Sequence, residues 1–144
     1  MREGKVLLSK RGTYKNKPVN DSGKWGLIGG FIDRDETISE AFYREAMEEA
    51  GCSVSNLHLF SIVDDPNRAK EDRQNITFFM VADFVSSVKV ETEEVHELKW
   101  FALDDLPPME LMAFDHGKLL QMYRDFLSKN GDNNQAMRFP AIVI

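Results

Sequence analysis

Three glutamates with helical spacing are the residues of this sequence best suited to chemistry. Glu45, Glu48 and Glu49 fall within an arc of about 100° on a helix, in which each residue advances by about 100°. Like charges at these spacings repel by about 0.2–0.5 kcal/mol per pair, and the C-terminal half of a helix disfavours anions. A bound divalent cation reverses the sign of both effects. Mg²⁺ prefers a few carboxylates together with waters and phosphates, so it suits this ridge better than a structural Zn²⁺ does.

The helix that must carry these glutamates is predicted over 37–50. Thr37 followed by Glu40 forms a capping box, and Gly51 stands where a C-terminal glycine is expected. The alternative is a solvated acidic face, which is common and would be offset by ion pairs of Arg44 with its i±4 glutamates. The glycine turn at 29–30, directly before the helix, favours a functional site over that alternative.

The other elements alternate between strands and helices. The predicted strands cover 6–8, 25–32 with a tight bend at its glycines, 54–63, 76–84 and 97–103, and a second helix runs from an Asp115 cap to about Ser128. Residues 11–24 predict a surface loop. This order is typical of a mixed sheet packed between helices.

Residues 30–52, GFIDRDETISEAFYREAMEEAGC, resemble the Nudix box G-x5-E-x7-R-E-U-x-E-E-x-G-U, where U is a bulky aliphatic residue. The matching residues are Gly30, Glu36, Arg44, Glu45, Glu48, Glu49 and Gly51. Ala46 and Cys52 depart from the pattern, because larger aliphatic residues are usual at both positions. So many fixed positions in so short a stretch make the resemblance specific.

The resemblance implies a fold, and it raises the question of which segment forms the first strand of the sheet. The expected fold is a Nudix-type α/β/α sandwich of the α+β or α/β class, with a mixed β-sheet and a catalytic loop–helix–loop, in a single domain over 1–144. Family members usually carry a further strand ahead of the segment equivalent to 5–10, and only four residues precede it here. We therefore expect that the usual first strand is missing, or that another segment fills its edge. Residues 142–144, in the C-terminal tail 129–144, are a speculative candidate.

The resemblance also implies roles for individual residues. The implied ligands of Mg²⁺, for which Mn²⁺ can substitute, are Glu45, Glu48, Glu49 and the carbonyl of Gly29. Arg44 would brace the glutamate cluster, while Glu36 and Gly30 would shape the loop and its approach to phosphate.

Diphosphate hydrolysis needs an in-line water, charge neutralisation on the phosphate oxygens and a base. One or two Mg²⁺ ions would act as Lewis acid and lower the pKa of the water. The candidate bases are Glu49 and Glu45 in the helix, and Glu93 and Glu94 in a later loop where some relatives place a catalytic carboxylate. For Glu93 and Glu94 a solvated acidic turn is the competing interpretation.

Substrate recognition is predicted from short segments. Lys10 and Arg11 are candidates for binding a terminal phosphate, with a solvated strand end as the alternative. Residues 64–68 look like a segment of ADP-ribose pyrophosphatases, in which Arg68 either contacts substrate or is an ordinary turn residue. Residues 113–116 look like the same branch, although the favoured interpretation of His116 is a first-turn residue after a helix cap.

Together these features favour Mg²⁺-dependent hydrolysis of the pyrophosphate bond in a nucleoside diphosphate linked to another group. The expected substrate is ADP-ribose or a related nucleotide sugar, which gives AMP and a sugar phosphate. One alternative is a pyrophosphohydrolase of (deoxy)nucleoside triphosphates, such as oxidised nucleotides. A second is a Nudix-fold nucleotide sensor without turnover, against which the intact box glutamates argue.

Composition limits the partners. The net charge of −6 argues against duplex nucleic acid, which needs a basic patch. No apolar run reaches the roughly 18 residues of a membrane span, so no membrane contact is expected. Cys52 is the single cysteine and cannot close an internal disulfide, which favours a cytoplasmic location. The expected partner is a small nucleotide, and a homodimer stays open.

Overall fold

The computed structural model describes residues 1–18, 20–64, 66, 75–88 and 94–130 of the chain. The strands are β1 (Lys5–Arg11), β2 (Thr13–Tyr14), β3 (Lys17–Pro18), β4 (Trp25–Gly26), β5 (Cys52–Val63), β6 (Thr77–Ser87) and β7 (Val95–Ala102). The helices are α1 (Ile38–Ala50) and α2 (His116–Asn130), and a short 3-10 turn, Met109–Leu111, precedes α2. Apart from β2 and β3, strands and helices follow one another in the predicted order.

Strand β1 lies at the centre of a three-stranded antiparallel sheet with the order β4–β1–β7. Val6 and Leu8 are buried together because alternate side chains of a strand point to the same face. Beyond the end of β4 the chain enters the loop that leads to α1. The sheet therefore anchors one end of that loop.

Strands β5 and β6 form a long antiparallel hairpin on which α2 packs. The ring of Phe60 makes edge contacts with Phe79 at 5.5 Å, Tyr123 at 4.9 Å and Phe126 at 5.4 Å between centroids. Aromatic pairs in this geometry add about 0.5–1.5 kcal/mol each beyond the area they bury. This cluster fixes α2 against the hairpin.

Helix α1 begins and ends as its sequence predicts. The Thr37 hydroxyl accepts the Glu40 N–H at 3.2 Å, and the Glu40 carboxylate accepts the Thr37 N–H at 2.8 Å. Gly51 ends the helix in the left-handed conformation, with φ 59°, and its N–H donates to the Met47 carbonyl. The buried residues of the helix are Ala41, Ala46 and Ala50.

Two sequence predictions need correction. The strand predicted over 25–32 is wrong beyond Gly26, because the Leu27 N–H donates to the His116 side chain rather than to a neighbouring strand, while Gly29, at the predicted bend, has a φ of 146°. The surface loop predicted at 11–24 contains the hairpin of β2 and β3, whose turn residues Lys15 and Asn16 both have positive φ. A Lys-Asn turn lacks the Asn-Gly signal by which such hairpins are recognised.

Met1, which precedes β1, lies along β6. The Phe84 N–H donates to the Met1 carbonyl at 2.9 Å, and the Met1 amino group donates to the Ala82 carbonyl. The tail segment 142–144, suggested above for a sheet edge, lies outside the described residues. No described helix combines the length and apolar character that a bilayer crossing demands.

Candidate active site

The loop after β4 meets the end of α1 at Glu49. The Gly29 N–H donates to the Glu49 carboxylate at 3.1 Å. Gly29 presents this N–H from a backbone with φ 146°, which residues with a Cβ rarely adopt. Loop and helix are therefore joined at a glycine by a hydrogen bond to a carboxylate.

Gly30 lies directly against the second carboxylate. A Cβ added to Gly30 would collide with the carboxylate of Glu45. A side chain at Gly30 would therefore displace this carboxylate. Glu45 and Glu49 thus both face the glycine turn, one helical turn apart on α1.

Arg44 ties the cluster to the loop. Its Nε and Nη2 donate to the two oxygens of Glu36 at 2.9 and 3.1 Å, and Nη2 also donates to the Phe31 carbonyl at 2.9 Å. Its Nη1 donates to Glu45 at 2.7 Å and to Glu48 at 3.1 Å. Planar, forked arginine is the side chain that can make such bidentate contacts. One guanidinium therefore holds two carboxylates of the ridge in place.

These contacts shift the pKa values of the partners. The hydrogen bonds that Arg44 donates to Glu36, and then to Glu45 and Glu48, raise the pKa of its guanidinium. The hydrogen bond from Arg44, together with the N–H of Asp33, lowers the pKa of Glu36. Both groups stay charged at neutral pH, so Arg44 and Glu36 form an ion pair.

Glu49 has a different environment. Burial raises the pKa of its carboxyl to about 7, against the opposing hydrogen bond from Gly29. The negative charges of Glu45 and Glu94 raise it further, while the positive charge of Arg11 lowers it. Arg11 from β1 and Glu94 ahead of β7 are therefore close enough to act on this carboxylate.

The comparisons with known proteins give the family. Residues 1–123 match the family model described as NUDIX domain. The chain belongs to the Nudix hydrolase family. The predicted family and fold class are confirmed.

Two curated relatives differ in their activities. The chain is 32% identical over 130 residues to an ADP-ribose pyrophosphatase of Methanocaldococcus jannaschii, an alignment that covers 90% of this chain and 70% of the relative. It is also 32% identical over 94 residues to an oxidized purine nucleoside triphosphate hydrolase of Mus musculus, over 65% of this chain and 59% of that protein. Identity alone does not separate the two.

Solved structures show the same fold. A MutT NUDIX hydrolase from Burkholderia pseudomallei superposes with a TM-score of 0.69 at 32% identity, over 84% of this chain and 89% of that one. The NUDIX domain of Shewanella oneidensis NrtR, complexed with ADP ribose, superposes with a TM-score of 0.67 at 27% identity, over 85% and 77%.

Nudix hydrolases typically use divalent metal ions, and the chemistry of this Nudix box suits one. Glu45, Glu48 and Glu49 offer hard carboxylate oxygens beside the Gly29 backbone, the donor type that Mg²⁺ prefers. Within the part of the chain that the structure describes, no three acidic, histidine or cysteine side chains converge as a ready metal cluster. Arg44 contacts two of the carboxylates and the glycine loop contacts the third. The ligand set stays a prediction.

A second wall, formed around Arg11 and Phe114, lines the same cavity of about 1040 Å³ as Gly30 and Glu45 of the Nudix box. On this wall the guanidinium of Arg11 lies over the ring of Phe114, 5.0 Å from its centroid, and its Nε donates to the Asn20 carbonyl at 2.8 Å. Phe114 is 46% exposed with φ 49°, a strained conformation for an aromatic residue. The Asp21 carboxylate, which also pairs with Lys24, holds it by accepting the Phe114 N–H at 2.8 Å.

The residues predicted to bind substrate lie in different surroundings. Arg11 lines the cavity together with Gly30. Lys10 instead lies 4.0 Å from Glu97 and over the ring of Trp25, and these contacts lie outside the cluster around Arg44. Arg68 and Glu93 lie outside the described residues, and the roles of all these residues stay predictions.

Sequence reasoning missed Asp21 and underrated 113–116. Asp21 is separated from Phe114 by 93 positions, so no local pattern connects them. The aspartate in a turn-rich segment was a signal for a side chain that binds backbone, but its partner was not identifiable. His116 was singled out by motif, and the structure turns it towards the loop rather than leaving it as a plain first-turn residue.

Proposed function

We propose that this Nudix hydrolase cleaves the diphosphate of a nucleoside diphosphate linked to a sugar, with ADP-ribose as the expected substrate. The observation that carries the activity is the meeting of Glu45 and Glu49 with the glycine turn. The relative that covers most of both chains, the archaeal ADP-ribose pyrophosphatase, supports the choice of substrate.

Different side chains of the Nudix box have different proposed roles. Glu45, Glu48 and Glu49, with the Gly29 carbonyl, would hold Mg²⁺ or Mn²⁺. When bound, the metal supplies a Lewis acid for the phosphate oxygens and lowers the pKa of a water. Arg44 keeps the carboxylates in register with the loop.

The reaction requires one proton acceptor. Water attacks one phosphorus, the bond from that phosphorus to the bridging oxygen breaks, and AMP and a sugar phosphate leave. Glu49 is the favoured acceptor because its carboxylate lies at the glycine turn, and Glu94 is the alternative because its charge acts on Glu49.

The second wall would receive the nucleoside. Phe114 offers an exposed ring at the cavity and Arg11 lies above it, an arrangement that suits an anionic, aromatic ligand. The second candidate substrate is an oxidised purine nucleoside triphosphate, because the mouse relative has the same identity over a shorter alignment.

A substrate panel tests the proposal. Wild-type protein with Mg²⁺ is given ADP-ribose, ADP-glucose, dGTP and oxidised dGTP, and products are separated by anion exchange. We expect AMP and ribose phosphate from ADP-ribose at a higher kcat/KM than for any triphosphate. The reverse ranking selects the triphosphate candidate, and ligand binding without turnover of any compound selects a sensor.

A further inference from the structure

His116, the first residue of α2, contacts the loop that leads to the Nudix helix. Its Nδ1 accepts the Leu27 N–H at 3.0 Å. A ring nitrogen that accepts a hydrogen bond carries no proton, so the imidazole is neutral with its proton on Nε2. The side chain is half-buried and directed at the loop rather than at solvent.

This contact stands where a strand pairing would otherwise continue. Trp25 forms a parallel bridge with Met112, and the Trp25 carbonyl accepts the Ala113 N–H at 2.7 Å. In a continued parallel ladder, the Leu27 N–H would donate to the Ala113 carbonyl. That carbonyl instead accepts the N–H of His116 as the chain turns into α2. The Nδ1 of His116 therefore takes the place of the Ala113 carbonyl as the acceptor for the Leu27 N–H.

Gly26 leaves room for the imidazole ring of His116. A Cβ on Gly26 would lie 3.3 Å from His116 Nδ1, so the ring would have to give by a few tenths of an ångström. The absence of a side chain at Gly26 therefore gives the ring access to the Leu27 N–H. Leu27 is two residues ahead of Gly29, which binds Glu49, so the contact lies at the start of the segment that faces the carboxylates.

We infer that His116 is a positioning residue that holds the start of the Gly29–Gly30 turn against the acidic helix. The inference rests on the proposed function for its effect on rate, because the turn must face Glu45 and Glu49 during hydrolysis. Misplacement of a reacting group by about 1 Å can lower the rate roughly 100-fold, even when the substituted residue is far from the chemistry. We expect the effect on kcat because the Nδ1 contact holds the loop, although His116 also lines the cavity and its ring lies 5.4 Å from that of Phe114.

Two variants of His116 separate hydrogen bonding from packing. His116→Leu removes the acceptor, while His116→Asn places an amide oxygen near the position of Nδ1. We expect kcat for ADP-ribose to fall at least tenfold in His116→Leu and to return to within about threefold of wild type in His116→Asn, with KM little changed. The matched control is His58→Asn, because His58 contacts the carbonyl of Asn56 within its own strand segment.

NMR tests the same inference without any substrate. In protein labelled with ¹⁵N, we expect His116 at neutral pH to show an unprotonated Nδ1 and a protonated Nε2. We also expect the amide signals of Gly29 and Gly30 to shift in His116→Leu and to return towards wild type in His116→Asn. A protonated Nδ1, or glycine signals that respond equally to both variants, would overturn the inference. Failure of the proposed substrate appears only in the wild-type kinetics and leaves this result readable.

Discussion

The two walls of the cavity are built by different forces. On the α1 wall, carboxylates and the Arg44 guanidinium attract one another along a single helix and its loop. On the second wall, Asp21 holds the Phe114 N–H, and where that wall meets the glycine loop His116 holds the Leu27 N–H, both from far away in sequence. The α1 wall thus carries the charges proposed for chemistry, while long-range contacts fix the backbone on the other wall.

The largest effect is expected from Glu49→Gln. The change removes the carboxylate at the glycine turn but keeps its size, so kcat should fall by roughly 10³-fold with an unchanged fold. Steady-state kinetics and circular dichroism measure the two parts. Glu97→Gln is the matched control, because Glu97 pairs only loosely with Lys10 at 4.0 Å. An undiminished rate in Glu49→Gln would refute the assigned role.

Gly30→Ala should have the next largest effect. The added Cβ collides with the Glu45 carboxylate, so this carboxylate must move from its place beside the loop and kcat/KM should fall roughly 100-fold. Gly4→Ala is the control, because its Cβ would meet open space at a positive φ of 72°. It should cost about 1 kcal/mol of stability and leave the rate unchanged. Equal rate losses in both variants would exclude close approach as the reason for glycine.

Glu49 should also make stability depend on pH when EDTA removes metal. Burial raises its folded pKa to about 7, above the ordinary value of 4.5. The stabilisation is complete below pH 4.5 and is lost as pH rises through 7. Between pH 5 and 8, wild type should lose about 2–3 kcal/mol more unfolding free energy than Glu49→Gln. Urea denaturation at both pH values measures this, and parallel losses would contradict the assigned environment.

The smallest effect on catalysis is expected from a substitution on the second wall. Phe114→Ala removes the exposed ring beneath Arg11, and KM for ADP-ribose should rise roughly tenfold while kcat stays similar. Kinetics with Phe126→Leu, a change within the aromatic core, provide the comparison. A fall in kcat with unchanged KM would assign Phe114 to the chemical step and remove the contrast between the walls.

The same contrast explains what sequence reasoning could reach. The capping box of Thr37 and Glu40 and the ridge of glutamates follow from helical spacing, so they were predictable. The bond of Leu27 to His116 spans 89 positions and depends on how α2 meets the sheet. The strand prediction failed beyond Gly26 because the Leu27 N–H bonds to that distant side chain instead of a neighbouring strand. The local structure of the helix was therefore predictable, and the long-range contacts of the loop were not.

The most direct test is a calorimetric titration of Mg²⁺ or Mn²⁺ into the protein with a non-hydrolysable ADP-ribose analogue present. The account predicts saturable metal binding by wild type, and its loss when Glu45 and Glu49 are both changed to Gln. Absence of metal binding by wild type, or equal binding by that double variant, would contradict it.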